Sequence, residues 1–216
     1  MRAGRVLLVL AALAGLLLVG ADVVGRNMAQ ERIEERARAR VPGAGSIDAD
    51  IDSFPFLPRL FLSGSVSGVG IHLEQVPARS VHLTSVDVDL RGVKLERDSI
   101  VSGDPRLESV ERGTLSMELD GTALSRALRV PVSVQGGEVR AGAGRAMVRA
   151  RPEVGRDGAL VLRLSGPVPL RVYVPRTSLV DCTATRVAVV GDRVRLSCDL
   201  DGVPTVLRQA QARGRS

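Results

Sequence analysis

Aromatic side chains are scarce in this chain of 216 residues. It has no tryptophan, a single tyrosine at Tyr173 and three phenylalanines, so aromatic residues make up 2% of the sequence. Proteins that bind single-stranded nucleic acid stack the bases on aromatic rings, and this composition argues against that class. The hydrophobic share is still 44% and is mostly aliphatic, which is enough for one domain with a substantial core.

Residues typical of catalytic and metal sites are also few. His72 and His82 are the two histidines, and neither stands in the H-E-x-x-H spacing of a zinc site. The serine-rich stretch 63–68 places Val66 where a G-x-S-x-G nucleophile would stand. The glycines within 142–144 lack the third glycine of a dinucleotide loop. The sequence therefore predicts a protein that is not an enzyme and that needs no metal or cofactor.

Lysine is nearly absent. Lys94 is the only lysine among 30 basic residues, and the net charge is +6. Arginine binds phosphate bidentately and is weakly hydrated, so anionic lipid head groups are natural partners. The alternative explanation is a proteome in which arginine simply replaces lysine, and composition alone leaves both explanations open.

A long apolar run stands near the start of the chain, behind Arg2 and Arg5. It extends from Val6 to Val24 and approaches the roughly 20 residues that a helix needs to cross a bilayer. Two interpretations of residues 1–24 stay open: a transmembrane anchor, or a secretory signal peptide that is cleaved after Ala21. In both cases the arginines stay on the cytoplasmic side. We therefore expect the rest of the chain to lie outside the cytoplasm, on the periplasmic side of the cell membrane.

A charged helical stretch continues from Asp22 to about Arg40 and ends at Pro42-Gly43. Apolar residues recur along it every four or five positions, which predicts one stripe that docks on a sheet. A helix on a membrane surface is the alternative. The members of the stripe are Val24, Met28, Ile33, Ala37 and Val41.

After this helix, apolar and polar residues alternate with period two, as in antiparallel strands that bury one face. One short helix, from Ala123 to Arg129, interrupts the strands behind a cap at Asp120. The predicted fold class is therefore α+β, a mainly antiparallel, twisted sheet packed on a long N-terminal helix. We expect a single domain over residues 25–208 and a polar tail over 209–216. The clearest alternation begins at Val86, Leu160, Val168 and Val194.

The two cysteines, Cys182 and Cys198, lie sixteen residues apart. Thiols outside the cytoplasmic membrane tend to be oxidised, which predicts a disulfide bond between them. If Gly191-Asp192 is the tip of a hairpin, Cys198 faces Thr185 rather than Cys182. A bulge or a longer turn is then needed to bring the two sulfurs together.

All three phenylalanines, Phe54, Phe56 and Phe61, fall within one short segment that also contains Leu57 and Arg59. Two prolines make this segment a poor central strand. It either rims a lipid pocket or enters a membrane interface, or it is a plug that fills one end of the core. The arginine is the best candidate for binding a head-group phosphate, because it adjoins apolar residues. Weaker candidates on polar strand faces are Arg171, Arg193 and Arg195.

The order of several segments resembles the lipomannan elongation factor A family of actinobacterial envelope proteins. The order is more specific than any single segment, and the resemblance extends from the apolar start to the tail. The segments are an apolar run that leads into a charged helix (Ala21 to Arg40), Phe-Pro-Phe-Leu (Phe54 to Leu57), Gly-x-Val-x-x-Val (Gly64 to Val69), Val-Asp-Val-Asp-Leu-Arg-Gly-Val (Val86 to Val93), Thr-Ala-Leu (Thr122 to Leu124) and Val203-Pro204.

This resemblance implies a periplasmic protein that binds phospholipid without catalysis. The named family member supports mannan elongation of lipoglycans and binds phosphoinositides, so an anionic phospholipid is the implied ligand and envelope glycosyltransferases are the implied protein partners. The implied architecture is a tubular lipid-binding fold, in which a twisted sheet wraps a long helix around an acyl-lined groove. The alternative is a ligand-free envelope scaffold that binds a membrane glycosyltransferase through a sheet edge or a helix.

Overall fold

The computed structural model describes residues 2–78, 81–102, 105–142, 147–155, 160–164, 170–172, 186–200 and 202, with their side chains from Leu16 onward except at 101 and 170–172. These residues form four helices and eleven strands. The helices are α1 (Arg2–Arg40), α2 (Phe56–Ser63), α3 (Arg97–Val101) and α4 (Gly121–Leu128). The strands are β1 (Ser46–Asp52), β2 (Ser65–Ala78), β3 (Val81–Leu95), β4 (Leu107–Asp120), β5 (Val132–Gln135), β6 (Glu138–Ala141), β7 (Val148–Val154), β8 (Leu160–Leu164), β9 (Leu170–Val172), β10 (Arg186–Val190) and β11 (Arg193–Leu200).

The strands form two antiparallel sheets. The first has six strands in the order β1-β2-β3-β4-β11-β10, and the second has five in the order β5-β6-β7-β8-β9. Helix α4 contacts β3 and β4 of the first sheet and β5 and β9 of the second, so it lies where the sheets meet. The predicted α+β class, with mostly antiparallel sheet and a long N-terminal helix, is confirmed.

The predicted alternation places one face of the six-stranded sheet in the core. Cross-strand partners follow one another from Leu73 through Val86 and Met117 to Leu196, and all four side chains are buried. The opposite face carries the polar residues of the same strands, such as Asp87. Period two therefore gives the first sheet one apolar and one polar face, as expected for an antiparallel sheet that is half-solvated.

Two residues with positive φ interrupt the regular conformation of the strands without shifting their pairing register. Gln75 in β2 has φ 50° and Gly92 in β3 has φ 60°. The buried residues on either side of Gln75 are Leu73 and Val76, which are three residues apart instead of the two expected in a regular strand. Gly92 cannot be replaced easily, because its left-handed backbone conformation disfavours any side chain.

The short helix forms behind the predicted cap, although it begins at Gly121 rather than Ala123, and one hairpin forms as predicted. The Asp120 carboxylate accepts a hydrogen bond from the Ala123 amide at 2.6 Å and so caps α4, while Arg129 ends the helix with φ 56°. In the β10–β11 hairpin Val190 pairs with Arg193, which confirms a tip at residues 191–192.

Cys198 is buried in β11 and is disulfide-bonded. Cys182 lies outside the residues that the structure describes, and so does Thr185. The pairing of Cys182 with Cys198 therefore stays a prediction, as does the bulge that it requires.

Helix α1 is continuous through Asp22 and ends at Arg40, as the sequence indicates. The predicted apolar stripe is wrong at its first two members, because Val24 and Met28 are largely exposed. Ile33 and Ala37 do pack against the core. Within the described part of the chain, no helix is long and apolar enough to be a candidate for crossing a membrane.

Candidate functional site

The segment with the three phenylalanines is held by an acid that lies more than thirty residues earlier. The Asp22 carboxylate of α1 accepts hydrogen bonds from the backbone amides of Phe56 at 2.9 Å and Leu57 at 2.6 Å. Asp22 is only 5% exposed. It therefore satisfies the free donors at the start of α2, which otherwise has no side-chain cap of its own.

The prolines of this segment suit a helix start. Pro55 precedes α2 with φ −66° and ψ 135° and follows a cis peptide bond. Pro58 lies in the first turn, where a missing amide hydrogen costs nothing because that donor has no partner within the helix. Asp22 thus binds the first two amides of α2. The third residue is Pro58, which has no amide hydrogen that needs a partner.

Helices α1 and α2 are in close contact beside this cap. A Cβ added at Gly25 would lie 2.8 Å from a methyl carbon of Leu57, so the glycine permits the close approach. At its other end α2 stops at Gly64, which has φ 64° and donates its amide to the Leu60 carbonyl at 3.0 Å. This is the usual left-handed end of a helix.

The structure separates the three predicted phenylalanines. Phe56 is 3% exposed and belongs to the core, whereas Phe54 is 69% and Phe61 is 61% exposed. Phe56 and Leu60 are four residues apart and share the inner face of α2. Phe61 lies on the outer side of the helix, and Phe54 precedes it. Leu57 is half-buried against the core.

Arg59 lies on the exposed side of α2. Its guanidinium donates a hydrogen bond to the Ser67 hydroxyl at the start of β2, and the Ser63 hydroxyl donates to the Arg59 carbonyl at 2.7 Å. The side chain is thereby held across the junction of α2 and β2 while its charge stays accessible to solvent.

The apolar face of the first sheet is not fully covered near β2 and β3. Val69, Ile71 and Val88 are half-buried, although Leu73 and Leu90, next to them along the strands on the same face, are buried. Ile71 and Val88 are cross-strand partners. These three half-buried residues form one continuous surface, which we call the aliphatic patch.

Helix α1 borders this patch at the edge of the sheet. The Glu34 carboxylate accepts a hydrogen bond from the Ala49 amide of β1 at 3.1 Å, and the Gln30 amide group donates to Asp50 at 3.1 Å. Ala49 is the partner of Ile71, so α1 covers the strand edge on the side nearest the patch. Covering the edge also satisfies a backbone donor that would otherwise be unpaired.

The polar face of the same sheet carries His72, which is paired with Asp87. The Nδ1 of His72 lies 2.5 Å from the Asp87 carboxylate, and its Nε2 lies 3.7 Å from Glu74. The hydrogen bond with Asp87 raises the pKa of His72 above its ordinary value and outweighs the opposing effect of burial. In the part of the chain that the structure describes, no three His, Cys, Asp or Glu side chains are grouped to hold a metal ion.

Two of the weaker arginine candidates are engaged elsewhere. Arg193 and Arg195 donate to the two oxygens of the Glu118 carboxylate at 3.0 and 2.8 Å. Burial would raise the pKa of Glu118, but these hydrogen bonds outweigh it and hold the pKa below its ordinary value. The side chain of Arg171 lies outside the described residues.

Leu62, near the end of α2, is exposed like Phe61. Sequence reasoning missed three parts of this site: the role of Asp22, the exposure of Leu62 and the aliphatic patch. The signal for Asp22 was present, since it is the single acid in a long apolar run. The patch has no sequence signal, because an aliphatic side chain on a covered face and one on an open face give the same pattern.

A family model described as LmeA-like phospholipid-binding matches residues 20–216 of the chain. Searches of curated proteins and of solved structures find no match. The family model covers both sheets, α2, α3, α4 and the part of α1 from Gly20 onward. The chain therefore belongs to the LmeA-like phospholipid-binding family.

Proposed function

We propose that this protein binds phospholipid without catalysis, on the outer face of the cytoplasmic membrane. It holds acyl chains against the aliphatic patch and prefers anionic phospholipids, phosphoinositides included. In this role it supports the assembly of envelope lipoglycans and their mannan chains, next to the membrane glycosyltransferases that build them. The sheet and α1 together then serve as a tubular lipid-binding fold.

The observation that carries the proposal is the aliphatic patch. Val69, Ile71 and Val88 are half-buried, although Leu73, Val86 and Leu90 beside them on the same face are buried, so covering them removes apolar surface from water. Burial of apolar surface stabilises by about 25 cal/mol per Å², or ~0.8 kcal/mol for each methylene of an acyl chain. A flexible hydrocarbon chain fits a surface of branched aliphatic side chains that presents no polar group.

The preference for anionic lipid is supported by Arg59. It is exposed, it is the only charged residue of α2, and its contact with Ser67 holds it in place. A guanidinium can bind the two oxygens of a phosphate at once. Arg193 and Arg195 are less suitable, because both already donate hydrogen bonds to the Glu118 carboxylate.

The patch can be tested by filling it. Val88→Trp places a large ring in the aliphatic patch and should reduce the phospholipid that co-purifies with the full chain, as measured by native mass spectrometry and lipid extraction. His82→Trp is the matched control, since it adds the same ring at an exposed position of the same strand. Circular dichroism checks the fold, and Ile71→Phe serves as a milder second variant.

Unchanged lipid content in both patch variants would refute the proposed binding surface. A wild-type chain that carries no phospholipid and binds none when it is offered would refute the function itself. That result would favour the ligand-free scaffold.

The anionic preference is tested by charge reversal. Arg59→Glu should abolish the preference for phosphatidylglycerol over phosphatidylcholine in a lipid-binding assay, whereas Arg112→Glu, an exposed reversal on β4, should keep it. Raising the salt should weaken the preference in the wild type, because charges are screened over about 8–10 Å at physiological ionic strength. Apolar binding should persist, because it is not Coulombic. If both variants behave alike, Arg59 does not bind the head group.

The location outside the cytoplasm rests on Arg2, Arg5 and the apolar run behind them. A reporter enzyme fused after Ser216 should be active only when the fusion site is outside the cytoplasm. Activity in the cytoplasm would contradict the proposed location. N-terminal sequencing of the mature protein would distinguish an anchor from cleavage after Ala21.

A further inference from the structure

Exposed large hydrophobic residues are concentrated at one end of the molecule. Of the twelve within the described side chains, ten lie on α1 or in and next to α2. The two others are Val148, which lies in β7 of the second sheet, and Val190, which is the last residue of β10. The ten are Leu16, Leu17, Leu18, Val19, Val23, Val24, Met28, Phe54, Phe61 and Leu62.

The capping contact brings the two groups of exposed residues together. Asp22 is the first buried residue of α1 in the described side chains, so the apolar part before it projects from the domain. Because Asp22 binds the start of α2 and Gly25 packs on Leu57, α2 lies at the point where α1 leaves the domain. The exposed face of α2 therefore adjoins the exposed turns of α1.

The pattern of exposure identifies the kind of partner. Leu16, Leu17 and Leu18 are each between 69% and 77% exposed, and consecutive helical residues point about 100° apart. Apolar side chains thus surround α1 here, whereas a protein partner would cover a single face. A helix that is apolar on all sides is suited to a hydrocarbon environment.

The charges near this end agree with a phospholipid surface. The exposed side of α2 carries Arg59 and no acid, and between residues 16 and 30 the only acid is Asp22, which is buried. Basic residues near the surface of an anionic membrane are attracted to its head groups.

We propose that this end of the domain docks on a phospholipid bilayer, with α2 in the interface and Phe54, Phe61 and Leu62 inserted among the acyl chains. The inference rests on the proposed function, because it names the membrane as the source from which the bound lipid is taken. From the end of α2 at Gly64, the aliphatic patch at Ile71 is roughly 20 Å along β2, at about 3.3 Å per residue. Docking therefore places the patch close to the lipid supply.

The absence of tryptophan from the chain makes a direct test possible. Phe61→Trp introduces a single indole, and the full chain is reconstituted with vesicles of phosphatidylglycerol and phosphatidylcholine. Its emission should shift to the blue and be strongly quenched by doxyl-labelled phosphatidylcholine. Phe54→Trp is the second reporter, in case the first variant does not fold.

Val190→Trp is the matched control, because Val190 is also exposed but lies at the opposite end of the sheet. That end is roughly 40 Å away along β4, so its emission should be neither shifted nor quenched. Equal quenching of the α2 reporters and the control would overturn the proposal. It would also be overturned if the chain bound the vesicles through α1 while the α2 reporters stayed unquenched.

The two proposals fail separately. Lipid that co-purifies with a chain whose α2 reporters stay unquenched would overturn docking alone. Quenched α2 reporters in a chain that holds no lipid would support docking and refute the lipid-binding function.

Discussion

Replacing Asp22 tests the contact that organises the site. Asp22→Ala removes a carboxylate that accepts hydrogen bonds of 2.9 and 2.6 Å from the first two amides of α2. Hydrogen bonds to charged groups contribute about 1.5–3 kcal/mol each, and loss of a helix cap costs about 0.5–2 kcal/mol. The two estimates describe overlapping contacts, so we expect the free energy of unfolding to fall by about 2–4 kcal/mol.

Asp22→Asn should be milder, because the amide oxygen still accepts one of the two hydrogen bonds. We expect a loss of about 1 kcal/mol from it, within the range for a single neutral hydrogen bond. Asp48→Ala is the control, since Asp48 is exposed on β1, and its effect should stay within about 0.5 kcal/mol.

The measurement is urea unfolding of the full chain in one detergent, followed by circular dichroism. Hydrogen exchange at the Phe56 and Leu57 amides adds a local readout. Faster exchange at these two amides should accompany the loss of stability, because the carboxylate protects them directly. An Asp22→Ala chain as stable as the Asp48→Ala control, with both amides still protected, would refute the capping role.

Three further predictions concern stability and pH. Phe56→Ala should cost about 3–5 kcal/mol, because the ring is 3% exposed, while Phe54→Ala should stay within about 0.5 kcal/mol; equal losses in urea unfolding would contradict the separation of the rings. The Glu118 ion pair should stabilise the fold at pH values above 4.5 and lose this contribution as the pH falls through the lowered pKa. Glu118→Gln should remove that acid dependence from unfolding curves, and an unchanged dependence would contradict it. The raised pKa of His72 means that its contribution is complete below pH 6.5 and is lost as the pH rises through the folded value. Asp87→Asn should lower that pKa in an NMR titration, and an unaltered titration would rule out the pair.

Much of the fold follows from patterns that are local in sequence. Alternation in β3 and β11 predicts which side chains face the core, because successive residues of a strand point to opposite faces. The cap at Asp120 and the hairpin tip at residues 191–192 likewise depend on a few adjacent residues. These features were predicted correctly because their physics involves neighbours along the chain.

The candidate site depends on residues that are distant in sequence. Nothing local indicates that Asp22 binds the amides of Phe56 and Leu57, since the contact exists only when α1 and α2 pack side by side. The three phenylalanines look equivalent in sequence. The direction in which α2 packs decides that Phe56 is buried and Phe61 is exposed, while Phe54 lies before the helix and is also exposed. Val24 and Met28 show the same limit, because a helical stripe is buried only where another element covers it.

The sequence by itself thus determined the strand pattern, the α+β class and the apolar start of the chain, because each follows from the order of apolar, polar and turn residues. Tertiary structure alone decided which apolar residues stay open to solvent. Val69, Ile71 and Val88 carry the same alternation as their buried neighbours, and their exposure depends on what α1 and α2 leave uncovered. Burial is a property of the surroundings, and the surroundings of these residues come from parts of the chain that are far away in sequence.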